Sequence, residues 1–392
     1  MNPRLLSGHA GGLDVAYRGA GLIDAVAAAG LRGRGGAAFP TAVKLRAVAQ
    51  ARGRCAVVAN ATEGEPMSAK DQQLLVVAPQ LVLDGAALAA EAVGARDIVI
   101  AVKRSAWAAQ ESLTRALAAR GDRSRMRMAV VGDAYLAGEE TALLRGLNGG
   151  PTKPTGTPPR PHERGLARRP TLVSNVETLA HVALIARHGA AWFRELGTPE
   201  HPGTALVTVS GAVARPAVYE AALGTPVEHV IAAAGGASSP LRAVLFGGYH
   251  GTWLSTGAPA RLDATLGPGV IVALGADACP VAELSRVVRW MADANARQCG
   301  PCMYGLEAIA GAIESLQTGI AARDVFAQLE RWGDHVTGRG ACRHPDGVVR
   351  FVRSGLDVFA GEFEDHRRFG RCDACDAEPV LAVPNLGREL AA

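Results

Sequence analysis

The chain has 392 residues, 48% hydrophobic and 20% charged, with 41 Lys+Arg against 37 Asp+Glu and a formal net charge of +4. These proportions exclude wholesale disorder and fit two or three globular domains, while so small a net charge over this length is weak evidence for nucleic-acid binding, which usually needs a concentrated basic patch. No apolar run approaches the ~20 residues of a membrane span and residues 1–17 lack an apolar signal core, so a cytoplasmic protein without direct membrane insertion is expected.

The first half alternates. Residues 22–29 read as a helix, 30–40 as a glycine-rich loop, 41–51 as a helix and 55–59 as a short buried strand. Residues 72–93 are Ala-rich and helical, with a break at Pro79. Segments 97–102 and 126–131 read as strands around a helix at 108–119, and this alternation predicts an α/β layer with a largely parallel sheet. Residues 149–169 break the pattern with five prolines between 151 and 161, and helix resumes over 173–187. Strands at 205–213 and 243–246 with a helix at 227–234 make a small α+β module. Four amphipathic helices, 281–298, 306–317, 322–336 and 348–363, predict a C-terminal bundle. The expected boundaries are residues 1–195, 196–268, 269–365 and a Cys-containing tail at 366–392.

Four polar clusters punctuate the α/β part. The loop at 30–40 holds four glycines, Arg32, Arg34 and Phe39 just before a helix. Glycines let backbone amides turn toward an anion, and the arginines suit bidentate phosphate binding; a mobile surface loop is the plain alternative. Asn60, Glu63 and Glu65 follow a strand, where an open α/β sheet faces its ligand, and two carboxylates there suit hydroxyls or a carboxamide better than a phosphate. Tyr135, Gly138, Glu139 and Glu140 open a helix, as do Ser174, Asn175 and Thr178; helix dipoles and capping account for much of both.

Five of the seven cysteines lie beyond residue 298. Cys299 and Cys302 follow a helix and Cys342 lies between two, which favours cluster or metal ligation over a thioredoxin-like dithiol. Cys372 and Cys375, with His366 nearby, leave two readings open, a zinc site or an unstructured reduced pair.

In this order the clusters and cysteines resemble the flavoprotein subunit of respiratory complex I and its relatives in soluble hydrogenases and formate dehydrogenases. The segment 30–44 lies close to that family's GLRGRGGAGFPTGLK and 135–144 to its YICGEETALM. The resemblance implies an α/β FMN-binding domain, a ubiquitin-like (SLBB, β-grasp) module and a helical bundle carrying a [4Fe-4S] cluster. Electrons would pass between FMN, the cluster and a ferredoxin-like partner. By the same resemblance FMN contacts fall on Gly33, Arg34, Gly35, Gly36, Lys44, Asn60, Glu63, Tyr135, Gly138, Glu139, Glu140, Val173, Ser174, Asn175 and Thr178, and NADH contacts on the catalytic-site pair Phe39 and Glu65. Thr62 stands where the family has Asp, and Ser174 where it has Asn. A second stacking Phe is Ala47 here, and a Lys-Pro-Pro-Phe segment is Thr157-Pro158-Pro159-Arg160. The family's first cluster Cys is Ala296, leaving Cys299, Cys302 and Cys342; His344, or Cys372 or Cys375 if the tail folds back, are candidates for the fourth ligand. A scaffold subunit that kept the fold but lost its cofactor chemistry is the alternative.

Overall fold

The computed structural model describes residues 3–7 and 15–384. Two helices, α1 (Gly19–Ala29) and α2 (Thr41–Ala49), precede strand β1 (Cys55–Ala61). The Ala-rich stretch forms α3 (Lys70–Val77) and α4 (Pro79–Ala92), which meet at 97°. Pro79 accounts for the corner: it disfavours helical backbone at Ala78 and then starts α4 at its first position, where its missing N–H costs nothing. Strand β2 (Ala95–Lys103), α5 (Trp107–Ala118), β3 (Met126–Val131) and α6 (Glu140–Leu147) follow. Strand β4 (Thr171–Asn175) then runs straight into α7 (Val176–Arg194), so the helix expected from 173 begins as a strand.

The first sheet has the order β3-β2-β1-β4 and is parallel throughout. Its chain steps from β1 to β2 and β3 on one side, then returns to place β4 on the other. That reversal opens a crevice between the carboxyl ends of β1 and β4, the position where open α/β sheets bind ligands. Both faces are covered by helices, and β1 is accordingly an almost continuous apolar run.

A second, mixed sheet holds β5 (Thr204–Gly211), β6 (Ala217–Ala222), β7 (Leu241–Phe246), β8 (Thr252–Ser255) and β9 (Val270–Gly275) in the order β6-β5-β9-β7-β8, with α8 (Val227–Ala233) packed on its apolar face. Strand β9 pairs with β5 and β7 at the centre of this sheet. The module therefore extends to Gly275 and does not end at 268: a six-residue apolar run carries no periodicity to distinguish a central strand from the start of the next helix.

The C-terminal part comprises α9 (Pro280–Asp293), α10 (Leu306–Thr318), α11 (Val325–Val336), α12 (His344–Val358) and α13 (Ala360–Phe369). Their core is continuous with Tyr135 of the first domain and Tyr249 and Trp253 of the second, so the three parts share buried surface. The described residues beyond α13, 370–384, pack against this core through Ala374, Cys375, Val380 and Val383, with Leu381 fully buried. No single helix among the described residues is long and apolar enough to cross a membrane; α3 and α4 pass such a test only as a bent pair, and α4 is largely buried inside the domain.

Candidate flavin and iron–sulfur site

The four polar clusters converge on the carboxyl edge of the first sheet. The glycine loop between α1 and α2 is tied down at its base by Gly33 N–H to the Phe39 carbonyl and by Arg34 N–H to the Thr178 hydroxyl, 2.9 and 2.8 Å. Gly35 passes so close to the start of α7 that a Cβ there would sit 3.0 Å from Asn175 Cβ. Gly36 has φ +110°, a conformation L side chains rarely adopt, and both glycines are exposed at the mouth of the crevice. Phe39 projects from the same loop, 44% exposed.

Most of the other expected flavin residues are already hydrogen-bonded to one another. Asn60 donates to the Gly138 carbonyl (2.9 Å) and accepts from the Thr62 hydroxyl (2.6 Å), joining the end of β1 to the turn before α6. Glu63 accepts from the Ser68 hydroxyl and from the Asp71 and Gln72 amides, capping α3. Glu139 accepts from Thr141 and Ala142 and caps α6. Asn175 caps α7 through the Glu177 amide and donates to Asp71 at 2.6 Å. Lys44 is half-exposed, paired with Glu140 at 2.9 Å and donating to the Val173 carbonyl at 3.3 Å, which places it beside Ser174 at the end of β4.

Arg34 does not meet the bidentate phosphate role expected of it. Its guanidinium donates to the carbonyls of Thr204, Pro202 and Arg32 and lies 3.9 Å from Glu177, pointing under the loop. Arg34 thus supports the loop, and the loop's exposed backbone faces the crevice.

Beneath that loop lies a charged group that sequence reasoning missed. Buried Lys70 contacts Glu177 at 2.7 Å and Asp71 at 2.9 Å, and Glu177 also accepts the Leu206 amide. Burial opposes the Lys70 charge, but the two carboxylates outweigh it and hold its pKa above the ordinary lysine value. Burial pushes the Glu177 carboxyl up, against the pull of Lys70 and Arg34. A lysine between Ala69 and Asp71 carries no sequence signal of burial, because it is the second domain's strand β5 that encloses it.

Glu65 is buried where the first two domains meet. It accepts from the Tyr249 amide at 3.0 Å, and burial raises its carboxyl to about 7 despite that bond. Tyr135 is buried edge-on against His250, Trp290 and His344.

Cys302 is buried at the start of a π-type turn, Pro301–Gly305, that leads into α10; Cys299 and Cys342 are half-buried beside it. Burial, then the neighbouring Cys299 and Cys342, lift the Cys302 thiol to about 12. Cys342 is pushed up by burial first and then by the charges of Glu139 and Cys299, and the flavin segment reaches the same region through Tyr135, which lies edge-on against His344, two residues beyond Cys342. The proline-rich segment reaches the same place: Gln298 donates to the Pro154 carbonyl at 2.6 Å.

His344 is not available as a fourth ligand. Its Nδ1 bonds His250 Nε2 at 3.0 Å and its Nε2 bonds the Met291 carbonyl at 2.9 Å, so both ring nitrogens are engaged in the core. Ala296 is buried and offers only a methyl group. The tail does fold back, but onto Cys279 and His366, and Cys372 and Cys375 lie with those two residues. The residues present therefore fit a cluster held by three thiolates, in a donor set of soft sulfur ligands that suits iron–sulfur chemistry. The glycine-lined crevice at the switch point, capped by prearranged polar groups, fits a flavin nucleotide.

Fold and site together define a flavin and iron–sulfur electron-transfer oxidoreductase. Comparison with known proteins agrees. The Nuo51 FMN-binding domain matches residues 26–184, the SLBB domain 206–247 and the NADH-ubiquinone oxidoreductase-F iron–sulfur binding region 282–366. The F subunit of NADH-quinone oxidoreductase in Streptomyces coelicolor is 30% identical over 88% of this chain and 82% of its own, and the F 2 subunit of the enzyme in Rhizobium meliloti is 29% identical over 90% of each. A crystal structure of an NAD+-reducing [NiFe]-hydrogenase in the H2-reduced state superposes with a TM-score of 0.81 at 32% identity, over 95% of this chain and 65% of that one. The chain belongs to the family of NADH-quinone oxidoreductase F subunits.

Proposed function

We propose that the protein exchanges hydride-level reducing equivalents with a nicotinamide nucleotide at an FMN held in the β1/β4 crevice, and passes electrons through a [4Fe-4S] cluster on Cys299, Cys302 and Cys342 to a ferredoxin-like iron–sulfur partner. The observation that carries this reading is the packing of the two candidate sites on each other: Tyr135 of the flavin segment rests edge-on against His344, two residues beyond Cys342, and Arg145 of α6 donates to Gln298, next to Cys299. FMN supplies the conversion of a two-electron donor to single-electron transfers. Around it, the Gly33–Gly36 loop would hold the phosphate by backbone amides, Lys44 and Glu140 the polar edge, and Phe39 would stack on the nicotinamide nucleotide with Glu65 beside it. Tyr135 and Trp290, in edge-on contact at 5.0 Å between centroids, exclude water between the flavin and cluster segments.

Met303 and Tyr304, next to Cys302, are exposed apolar side chains, 50% and 72% accessible. Such residues beside a redox centre suit a docking partner, and they favour the iron–sulfur partner over a scaffold role. The free thiols suit a reducing, cytoplasmic location.

The test is cofactor extraction from anaerobically purified protein. Expected are one FMN and about four irons with matching acid-labile sulfide, and loss of iron and sulfide, but not of FMN, in Cys302→Ser. Colourless protein that takes up neither FMN nor iron would leave the scaffold reading in place.

A further inference from the structure

Cys279, His366, Cys372 and Cys375 converge from three separate stretches of chain, with one ligand atom from each lying within 4.8 Å of all the others. Cys279 caps the start of α9, its Sγ accepting the Ala282 amide. His366 lies in the last turns of α13, and the cysteine pair lies on a single turn of the tail, Asp373–Asp376, with Cys372 just before it. None of these four belongs to the flavin or cluster site.

We propose that they bind one tetrahedral zinc ion that fastens the tail to the helical domain. The separations are those of a single ion. With Zn–S near 2.3 Å and Zn–N near 2.0–2.1 Å, a tetrahedron sets S···S at about 3.8 Å and S···N at about 3.5 Å. The structure has Cys372 to Cys375 at 3.8 Å, Cys375 to Cys279 at 3.6 Å, Cys279 to His366 Nε2 at 3.5 Å and Cys375 to His366 Nε2 at 3.9 Å. A cubane holds its thiolates farther apart, because four irons and four sulfides stand between them.

The histidine is arranged as a ligand. Its Nδ1 lies 3.2 Å from the Gln317 carbonyl, which takes the other ring N–H and leaves Nε2 free to coordinate. A ring oriented by a backbone carbonyl in this way is the usual support of a metal-bound histidine. Cys279 and His366 are buried, whereas Cys372 is exposed, which gives an ion a route in. Three thiolates and one imidazole, with two of the thiolates spaced Cys-x-x-Cys, form a donor set of closed structural zinc sites and leave no open position for catalysis.

The ion would anchor a strap of chain. Beyond Cys375, the Val380 and Leu381 amides donate to Glu283 at 2.8 and 2.9 Å, and the Ala382 carbonyl accepts from the Tyr249 hydroxyl at 2.5 Å. The strap thus crosses α9 and reaches Tyr249, whose amide holds Glu65.

The experiment is metal analysis of the full chain, purified anaerobically with its cofactors. One zinc per chain is expected in addition to the cluster iron. Cys372→Ser and Cys279→Ser should lose zinc and keep iron, sulfide and FMN, and the Cys372→Ser tail should be cut by protease well before the wild-type tail. If wild-type protein, exposed to Zn2+ under reductant and desalted, holds no more zinc than the Cys372→Ser, Cys375→Ser double variant, the proposal fails. It also fails if the variants lose iron and sulfide while zinc stays, or if the site holds iron without sulfide. Should the variants not fold, Co2+ loading of the wild type decides: intense tetrahedral d–d bands with thiolate charge transfer support the site, and their absence overturns it. A failed cofactor extraction would leave this result untouched, because the zinc count does not depend on flavin or cluster.

Discussion

Glu65 carries two demands in one side chain: it sits in the proposed nucleotide site, and it is buried in a domain junction. Its carboxyl is raised from 4.5 to about 7, first by burial and against two backbone amides. Below pH 4.5 the folded and unfolded chains both hold this proton. Between 4.5 and 7 the unfolded chain releases it and the folded chain keeps it, so stability falls as pH rises; above 7 the loss is complete, at roughly 3 kcal/mol. Glu65→Gln keeps an acceptor for the Tyr249 amide and removes the titration. Its denaturation midpoint should therefore climb relative to wild type from pH 4.5 to 7, and parallel pH profiles would refute the assignment. Gly36 makes a second test at this scale. Its φ of +110° means that Gly36→Val strains an exposed loop by about 1–3 kcal/mol and puts a side chain at the mouth of the crevice. The variant should keep its far-UV circular dichroism and lose FMN on gel filtration; full flavin occupancy would show that the loop is not the phosphate cradle. Both residues are expected from the sequence as site residues. What was not legible was what the side chains of Glu65 and Arg34 already hold, because those partners come from Tyr249, the start of β5 and other distant segments.

Helix α3 is held by a charge network as well as by its fully buried Leu74 and Leu75. Lys70 joins it to α7 through Glu177, and Glu177 joins both to β5 through the Leu206 amide. Lys70→Met removes the cation that contacts both Asp71 and Glu177 and leaves Glu177 only the more distant Arg34, at 3.9 Å; breaking a buried pair in this way costs about 3–5 kcal/mol. Urea unfolding should show that loss, and a drop below 1 kcal/mol would mean that water reaches the site and screens it. Element by element, the sequence was most readable where periodicity runs long: α1, α2, α5 and α10 lie close to their expected bounds and the Pro79 corner was visible as a break, whereas α9, expected to run to 298, ends at Asp293. Short strands were the failures. Five-residue β4 passes into α7 without a turn residue between them, and β6 and β8 sit at the edges of the second sheet with half-exposed, mixed residues. The long helix expected over 348–363 divides at Phe359, whose buried ring packs on Trp253 of the second domain. That bend is set by tertiary packing and leaves no local trace.

At the scale of the whole molecule, the C-terminal helices share a buried core with Tyr135 of the first domain and Tyr249 of the second, while the glycine loop and Phe39 beside the proposed flavin crevice stay open to solvent. That openness bears on the electron donor. Phe39 is exposed and available to stack, but the position expected to carry a second aromatic is Ala47, half-buried on α2. In the proline-rich segment, Thr157 and exposed Arg160 replace the Lys and Phe, and the Arg160 amide is bound to Glu163 at 2.7 Å. Each lost base–aromatic stack costs about 1–3 kcal/mol, roughly ten- to hundredfold in affinity. Arg160 recovers part of this if its guanidinium stacks on the adenine or pairs with a phosphate. A second phosphate on the ribose would give the same guanidinium more to bind, so NADPH should lose less than NADH from the missing aromatics. Stopped-flow reduction of the bound FMN by each nucleotide measures this. The expected result is slow or high-Michaelis-constant reduction by NADH, a smaller deficit with NADPH, and a further loss for both in Phe39→Ala. Restoring the ring in Ala47→Phe should lower the NADH Michaelis constant about tenfold without changing FMN content. Fast reduction saturating at micromolar NADH in the wild type would show instead that Phe39 and Glu65 suffice, and that the absent side chains were never needed to hold the donor.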